Sequence, residues 1–457
     1  MRRHERWRTA RDRILIGIAA LFAATACTSA SHPHRYRELD ERWQRDHGEA
    51  ASDVSLDDSV FAGAAVLERR ALVEAVLERN PNVRAARYAW RAALDRHPQV
   101  VAWDDPMLGA GLAPRSFGSD AVDDAYTFDL SQRVPFPGKR RLEGEAALAE
   151  AAAASHDYEA VKLGLATMAS TLYDDYYLAT RSLEINAEHV VLLRDFMRVA
   201  AARYEVGEAS QQDPLQAEVR LAHATHRDVV LDTSRRITAE RINALLHRDP
   251  KAELPPPPRR IAVPVSEPGH EGAWSEEALA EVPEIAAASA REDAEAKRMA
   301  RARREYWPDV TVLGAYNGVM QEEELQPFVG LQLSVPLQLG RRRAAVEEAS
   351  ARLEAARSAR LALEDGVRLA VQSGVDRLEE AHHVERLFRD RLLPAARDHV
   401  AAARSGFETG RNSFLALIEA ERNLLDTELG HQEALASLGR RRAELDRARG
   451  RLPALDW

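Results

Sequence analysis

The residues able to do chemistry are few and scattered. One cysteine occurs in 457 residues, Cys27 in Ala24-Thr25-Ala26-Cys27. A lone thiol closes no disulfide within its chain, and one placed directly after small residues invites acylation. The alternative is a leader cleaved at an A-x-A-like site, with Cys27 incidental. Histidines form two close pairs, His223 with His226 and His382 with His383. Metal ligation needs three or four converging donors with ordered supports, and a pair on a charged helix supplies half of that. Six methionines argue against a soft-metal relay. No metal site and no cofactor are assigned. Gly138-Lys139 is no phosphate cradle: Arg140 follows where Ser or Thr is needed, and no G-x-x-x-x-G precedes the lysine. It reads as a basic helix start whose Lys and Arg meet lipid head groups or water. No nucleophile, base and orienting group form a set, so the sequence is not that of an enzyme.

Residues 1–26 read as a secretory signal: six arginines precede the apolar run Ile14 to Ala26, which is too short to span a bilayer. Those residues also hold Glu5 and Asp12, a net of +4, so the remaining chain carries −10 − 4 = −14. An acidic body lacks the basic footprint that nucleic acid requires. Aromatics are only 6% and charged residues 30%, with recurring Ala-rich stretches, a balance that favours long helices over a compact α/β enzyme.

The elements that position these residues come in two copies. Pro81 matches Pro283 and Gly138 matches Gly340, each 202 residues on; Gly207 matches Gly410 and Ala217 matches Ala420, each 203 on. The chain divides into the signal (1–26), an extension after Cys27 (27–70), a first repeat (71–250), a Pro-rich linker (251–274), a second repeat (275–452) and a tail (453–457). In each repeat a helix comes first. One opens at Asn80-Pro81 and runs to about His97; the other runs from Ser275 to about Trp307. Two strand-like runs follow. Then helical patterns extend from Gly138 to about Tyr204 and from Gly340 to about Phe407, roughly 100 Å each at 1.5 Å per residue. Glycine breaks at Gly207 and Gly410 turn the chain into returning helices ending near Leu246 and Gly450.

The strands alternate. Tyr126, Phe128 and Leu130 point one way, Thr127, Asp129 and Ser131 the other; Val329, Leu331, Leu333 and Val335 oppose Gly330, Gln332 and Ser334. That period suits a barrel wall between lipid and water, with Trp103, Trp307, Tyr316 and Phe328 as interfacial anchors. It suits equally two soluble hairpins packed on helices. Four strands cannot close a barrel in lipid, so a membrane reading requires several chains.

The ordered set Asp105-Pro106, Gln132-Arg133-Val134-Pro135-Phe136-Pro137-Gly138-Lys139-Arg140, Arg203-Tyr204-Glu205-Val206-Gly207 and Asp213-Pro214-Leu215-Gln216-Ala217-Glu218 resembles the TolC family of outer-membrane efflux factors, and within it the heavy-metal branch. The resemblance spans about residues 70–450. It implies a mainly α fold with a small β part: a long-helix α-barrel plus a transmembrane β-barrel shared by a homotrimer, four strands per chain. It implies residence in the outer membrane of a Gram-negative bacterium, docking to a periplasmic adaptor, and an inner-membrane pump of the RND type. The Ala24 to Cys27 segment resembles a lipobox, departing at Ala24 where Leu is usual, and Thr28 after it suits the outer membrane. The tips Glu205, Val206, Gly207, Glu408, Thr409 and Gly410 would meet the adaptor, or would be plain helix caps. Asp213 and Glu419, copied threefold, would ring the entrance with negative charge; Asp213 could instead cap the returning helix before Pro214. The pattern departs at Ala416 and Phe407, where a carboxylate and a Tyr are expected. The implied activity is a passive exit duct for heavy-metal cations. Its rivals are a multidrug or type I protein-secretion duct, and a lipid-anchored periplasmic coiled-coil scaffold without a pore.

Overall fold

The computed structural model describes residues 33–49, 58–61, 63–117, 125–261, 271–320, 322 and 325–453. Cys27 and the signal lie outside the described residues. The elements run α1 (His34–Glu49), α2 (Arg69–Arg79), α3 (Pro81–Val101), β1 (Met107–Leu112), β2 (Tyr126–Val134), α4 (Lys139–Glu205), α5 (Gln212–Leu245), α6 (Glu271–Glu281), α7 (Pro283–Arg304), β3 (Asp309–Asn317), β4 (Pro327–Ser334), α8 (Leu339–Leu387), α9 (Leu393–Glu408) and α10 (Phe414–Ala448). The order helix, helix, two strands, long helix, returning helix occurs twice, and each repeat opens with a helix pair broken at a proline.

Those breaks have a local cause. Asn80 ends α2 and starts α3: its Oδ1 accepts from the Asn82 amide at 2.9 Å, and Pro81 fills the first helical position. In the second repeat one helix from Ser275 to Trp307 is expected, but Pro283 splits it into α6 and α7, because the residue before a proline avoids the α region. Gly450 backs onto the break, where a Cβ would sit 2.7 Å from the Glu281 carbonyl. The stop expected at His97 also moves. Helix α3 passes through Pro98 to Val101, losing one backbone bond near its end, and Arg140 donates to the Val101 carbonyl there.

Helix α4 is unbroken over 67 residues. Its counterpart is not: a π turn at Phe388–Leu392 separates α8 from α9. Pro394 supplies the reason. Its ring has no N–H and would strike the carbonyl four residues earlier, so one wider turn precedes it. Gly430 on α10 makes room beside that turn, where a Cβ would lie 2.7 Å from the Phe388 ring.

Contacts divide the chain into two compact units. One holds the sheet, α1, most of α3 and α7, and the ends of α4 and α8 adjoining the strands. Four antiparallel strands pair in the order β1-β2-β3-β4, so the two repeats join at β2 and β3. The register Leu108↔Leu130, Phe128↔Tyr316 and Val312↔Leu331 puts Leu108, Ala110, Leu112, Tyr126, Phe128, Leu130, Val310, Val312, Tyr316, Val329, Leu331 and Leu333 on one face, with Gln132 the one polar amide among them. The other face carries Thr127, Asp129, Ser131, Arg133, Asp309, Thr311, Asn317, Gln332 and Ser334, with Met107 and Leu313 between them. Phe328, expected as a lipid anchor, pairs with Ala315 on this polar face. Among the described residues no helix is long and apolar enough to cross a membrane.

Of the basic helix start expected to meet lipid head groups or water, Lys139 turns inward while Arg141 is exposed and pairs with Glu145. Lys139 is buried, and its Nζ reaches Asp309 Oδ1 at 2.8 Å, Glu305 Oε2 at 3.3 Å and the Trp307 carbonyl at 3.1 Å. Asp309 also accepts from Arg133 at 2.7 Å and from the Phe136 amide at 2.9 Å. Arg140 stacks on Trp103 at 4.1 Å, and Trp307 stacks on Phe136 at 5.1 Å. In the same unit α1 buries Tyr36, Leu39 and Trp43, with Asp40 paired to Arg91 at 2.5 Å.

Candidate functional site

The second unit gathers α2, most of α4, α5, α6, the later part of α8, α9 and α10. Its core beside the turns comprises Leu193, Phe196, Ala200, Phe407, Phe414, Leu417 and Ile418. Small side chains at Ala200, Ala217 and Ala420 let the helices approach closely, and all three are fully buried.

The two turns share one geometry. Gly207 has φ 74° and Gly410 φ 71°. The Gly207 amide bonds to the Tyr204 carbonyl and the Glu208 amide to Arg203; the Gly410 amide bonds to Phe407 and the Arg411 amide to Gly406. Both are Schellman closures, which need a left-handed residue after the helix and therefore glycine. Glu205 is the last residue of α4, Val206 is 70% exposed, Glu408 ends α9 and Thr409 is its cap. The six expected tip residues thus occupy two equivalent turns, with nothing within 4 Å of where a Cβ would project from either glycine.

Arg203, quoted only as part of a motif, links the turns. Its guanidinium lies 4.4 Å from the Phe407 ring centre and donates to the carbonyls of Phe407 at 3.1 Å and Glu408 at 3.3 Å. A cation from the first repeat so satisfies the orphan C-terminal carbonyls of the second repeat's helix. Phe407, where a Tyr was expected, packs on Phe414 at 5.5 Å with no hydroxyl to place.

The two expected entrance carboxylates differ. Asp213 lies in the first turn of α5, not at its cap: the helix starts at Gln212, and Gln211 occupies the cap position. Its charge there favours the helix N-terminus, and among the described residues it forms no ion pair. Glu419 is on α10 and accepts from Arg220 Nη2 at 2.8 Å, so its charge is offset within the chain. At Ala416, where a carboxylate was expected, the chain has only its amide to offer: Ser413 caps α10 and its Oγ accepts from the Ala416 amide at 3.3 Å.

A buried ionic group lies nearby that sequence reading missed. His189 on α4 contacts Glu421 through Nδ1, and Glu428 Oε2 through Nε2 at 2.9 Å. Burial pulls the imidazole pKa down, but the hydrogen bonds and charges of the two carboxylates overcome it and raise it to about 9. The same hydrogen bond from His189 holds Glu428 below the usual carboxylate range. A histidine doubly engaged in this way is an imidazolium strut between α4 and α10, and a single histidine on a long helix gives no sign of it in the sequence. Arg69 on α2 is a second unforeseen strut: it grips buried Asp174 at 2.5 and 2.9 Å and Ser170 Oγ at 2.6 Å, with Gly439 leaving space for that carboxylate. His223, His226 and His383 are exposed, and no group of three metal-binding side chains converges among the described residues.

A sequence model of the family described as outer membrane efflux protein matches residues 72–247 and 274–451. No curated protein sequence matches. Among solved structures, the outer-membrane channel OprN is 21% identical with a TM-score of 0.72, covering 89% of this chain and 95% of that one. The outer membrane protein VceC from the bacterial pathogen Vibrio cholerae is 18% identical with a TM-score of 0.72, covering 84% and 96%. CusC is 16% identical with a TM-score of 0.72, covering 87% and 97%. At these identities the likeness is one of fold: long helices carrying a small β part, as in outer-membrane channels.

Proposed function

We propose, from the premise that the chain belongs to the outer membrane efflux protein family, that it is the outer-membrane duct of a tripartite efflux system and works as a homotrimer. One observation carries the reading: a four-stranded sheet with an apolar face, a polar face and two unpaired edges, β1 and β4. Such an edge cannot stand in lipid, because its backbone groups would have no partner. Three copies supply twelve strands and close every edge. The apolar face then meets lipid and the polar face encloses water.

The duct is passive, and an inner-membrane pump of the RND type drives transport through a periplasmic adaptor. The adaptor meets the turns at Glu205, Val206, Gly207, Glu408, Thr409 and Gly410; their exposure and duplicate geometry support this. Asp213 contributes the freer carboxylate at the entrance, since Glu419 is engaged by Arg220. Cys27 carries a lipid that anchors the chain to the outer membrane. Heavy-metal cations are the cargo, on the sequence resemblance to the metal branch.

Detergent-extracted protein is expected to be a trimer that conducts ions in planar bilayers; release into water as a monomer would sink the duct. A deletion strain is expected to become sensitive to copper, silver, zinc, cobalt or cadmium. Unchanged sensitivity to all five refutes the cargo assignment and leaves the duct standing.

A further inference from the structure

We propose that the duct selects cations on the polar face of its sheet, at the row Gly109–Asp129–Ala315–Phe328, through the carboxylate of Asp129. This rests on the channel reading above and adds where charge is read. The register places these four residues side by side. Three features of the row converge. The Asp129 carboxylate lies over Gly109, where a Cβ would fall 2.2 Å from Oδ1, so any larger residue in β1 would push it away. Phe328 puts a large ring, 44% exposed, on the polar side of the same row, where a lipid anchor has no use and a narrowing does. Asp129 itself has no ion-pair partner among the described residues.

Every other charge on this face is compensated. Arg133 pairs with Asp309 at 2.7 Å and faces Asp104 at 3.8 Å, and Asp309 is held by Lys139 at 2.8 Å. The remaining side chains of the face, the polar Thr127, Ser131, Thr311, Asn317, Gln332 and Ser334 and the apolar Met107 and Leu313, are neutral. Asp129 is therefore the net charge that the wall presents to water, and the trimer presents it three times.

Twelve strands about 4.8 Å apart and tilted about 40° make a cylinder of radius about 12 Å, leaving a carboxylate about 8.5 Å from the axis. Three unit charges at that distance in water, with a Debye length of about 8 Å, enrich cations over anions on the axis about fivefold at about 0.15 M salt. At about 1 M salt, with a Debye length of about 3 Å, the preference falls to about 1.3-fold.

The test measures reversal potentials across planar bilayers holding the purified full-length protein under a KCl gradient, at both salt levels. Wild type is expected to prefer K⁺ over Cl⁻ about fivefold at the lower salt. Asp129→Asn, a near-isosteric change on an accessible side chain, is expected to lose most of that preference while conducting normally, and Asp129→Lys to invert it. Asp213→Asn serves as the comparison at the entrance and is expected to leave most of the preference in place. A conducting Asp129→Asn channel with the wild-type ratio overturns the proposal, as does an Asp213→Asn channel that loses the whole preference. A wild-type protein that never conducts overturns the channel reading, and this proposal with it.

Discussion

Replacing His189 by Gln removes an imidazolium held between two carboxylates, and its cost depends on pH in a calculable way. The folded pKa is about 9 against an ordinary value of 6.5. A folded pKa above the unfolded one means that binding a proton favours the folded state. The contribution is complete below pH 6.5, declines as pH rises, and is gone above about 9. At about 1.4 kcal/mol per pH unit, the window of some 2.5 units corresponds to about 3 kcal/mol. Glu428 has the opposite sign: its depressed pKa gives stability present above about 4.5 and lost as acid protonates it. The strut is strongest between those limits. Arg397 also pairs with Glu428, at 3.5 Å. The assay is thermal or denaturant unfolding of wild type and His189→Gln in one detergent, from pH 6 to 10. The gap between the two proteins should be largest near pH 6 and shrink steadily to pH 9. A gap that is constant across that range refutes the imidazolium and leaves only packing at His189.

Arg69→Ala should destabilise the folded chain by about 3–5 kcal/mol, because it leaves the Asp174 carboxylate buried without its cation; restored stability in Arg69→Ala with Asp174→Ala, read in the same melts, separates charge from packing. Gly410→Val forces a β-branched residue into φ 71° and should cost about 1–2 kcal/mol locally. Amide exchange at Arg411 and Asn412 should quicken, with global melting nearly unchanged; unchanged exchange would show that the turn does not need its glycine.

Much of the fold was legible because backbone demands recur. Gly207 and Gly410 are required by left-handed caps, Pro81 and Pro283 by helix starts, and both survive duplication at a constant offset. Strand alternation was legible for a similar reason, since two faces of one sheet must differ whatever the neighbours are. Legibility failed where a local signal has several physical outcomes. Pro98 marks a helix stop in most contexts, but here the helix continues to Val101. Gly340 aligns with Gly138, yet only Gly138 is left-handed, at φ 91°, while Gly340 lies inside α8. Pro394 gave no warning that a π turn would absorb it. The ionic struts were invisible for a different reason. His189 and Glu428 are 239 residues apart, and each reads in sequence as an ordinary polar residue on a long helix.

Duplication also separates scaffold from specificity. Where the two repeats agree, some residues shape backbone, Gly207 with Gly410 and Ala217 with Ala420, and two are carboxylates, Glu205 with Glu408 and Glu218 with Glu421. Several of the differences also fall on charge. Arg203 corresponds to Gly406, Asp213 to Ala416, and His189 to Leu392 at the same offset of 203. One copy of each charge suffices because a strut needs a donor on one repeat and an acceptor on the other; two identical copies would set like against like. Arg203 donates to carbonyls of the second repeat, His189 to its carboxylates and Arg220 to Glu419, while Arg440, Lys297 and Arg298 of the second repeat pair in the other direction with Asp175, Glu145 and Glu150 of the first. Because each such pair occurs once, together they fix which helices of a duplicated chain pair with which. Asp213 stands apart: among the described residues it has no ion-pair partner across the seam.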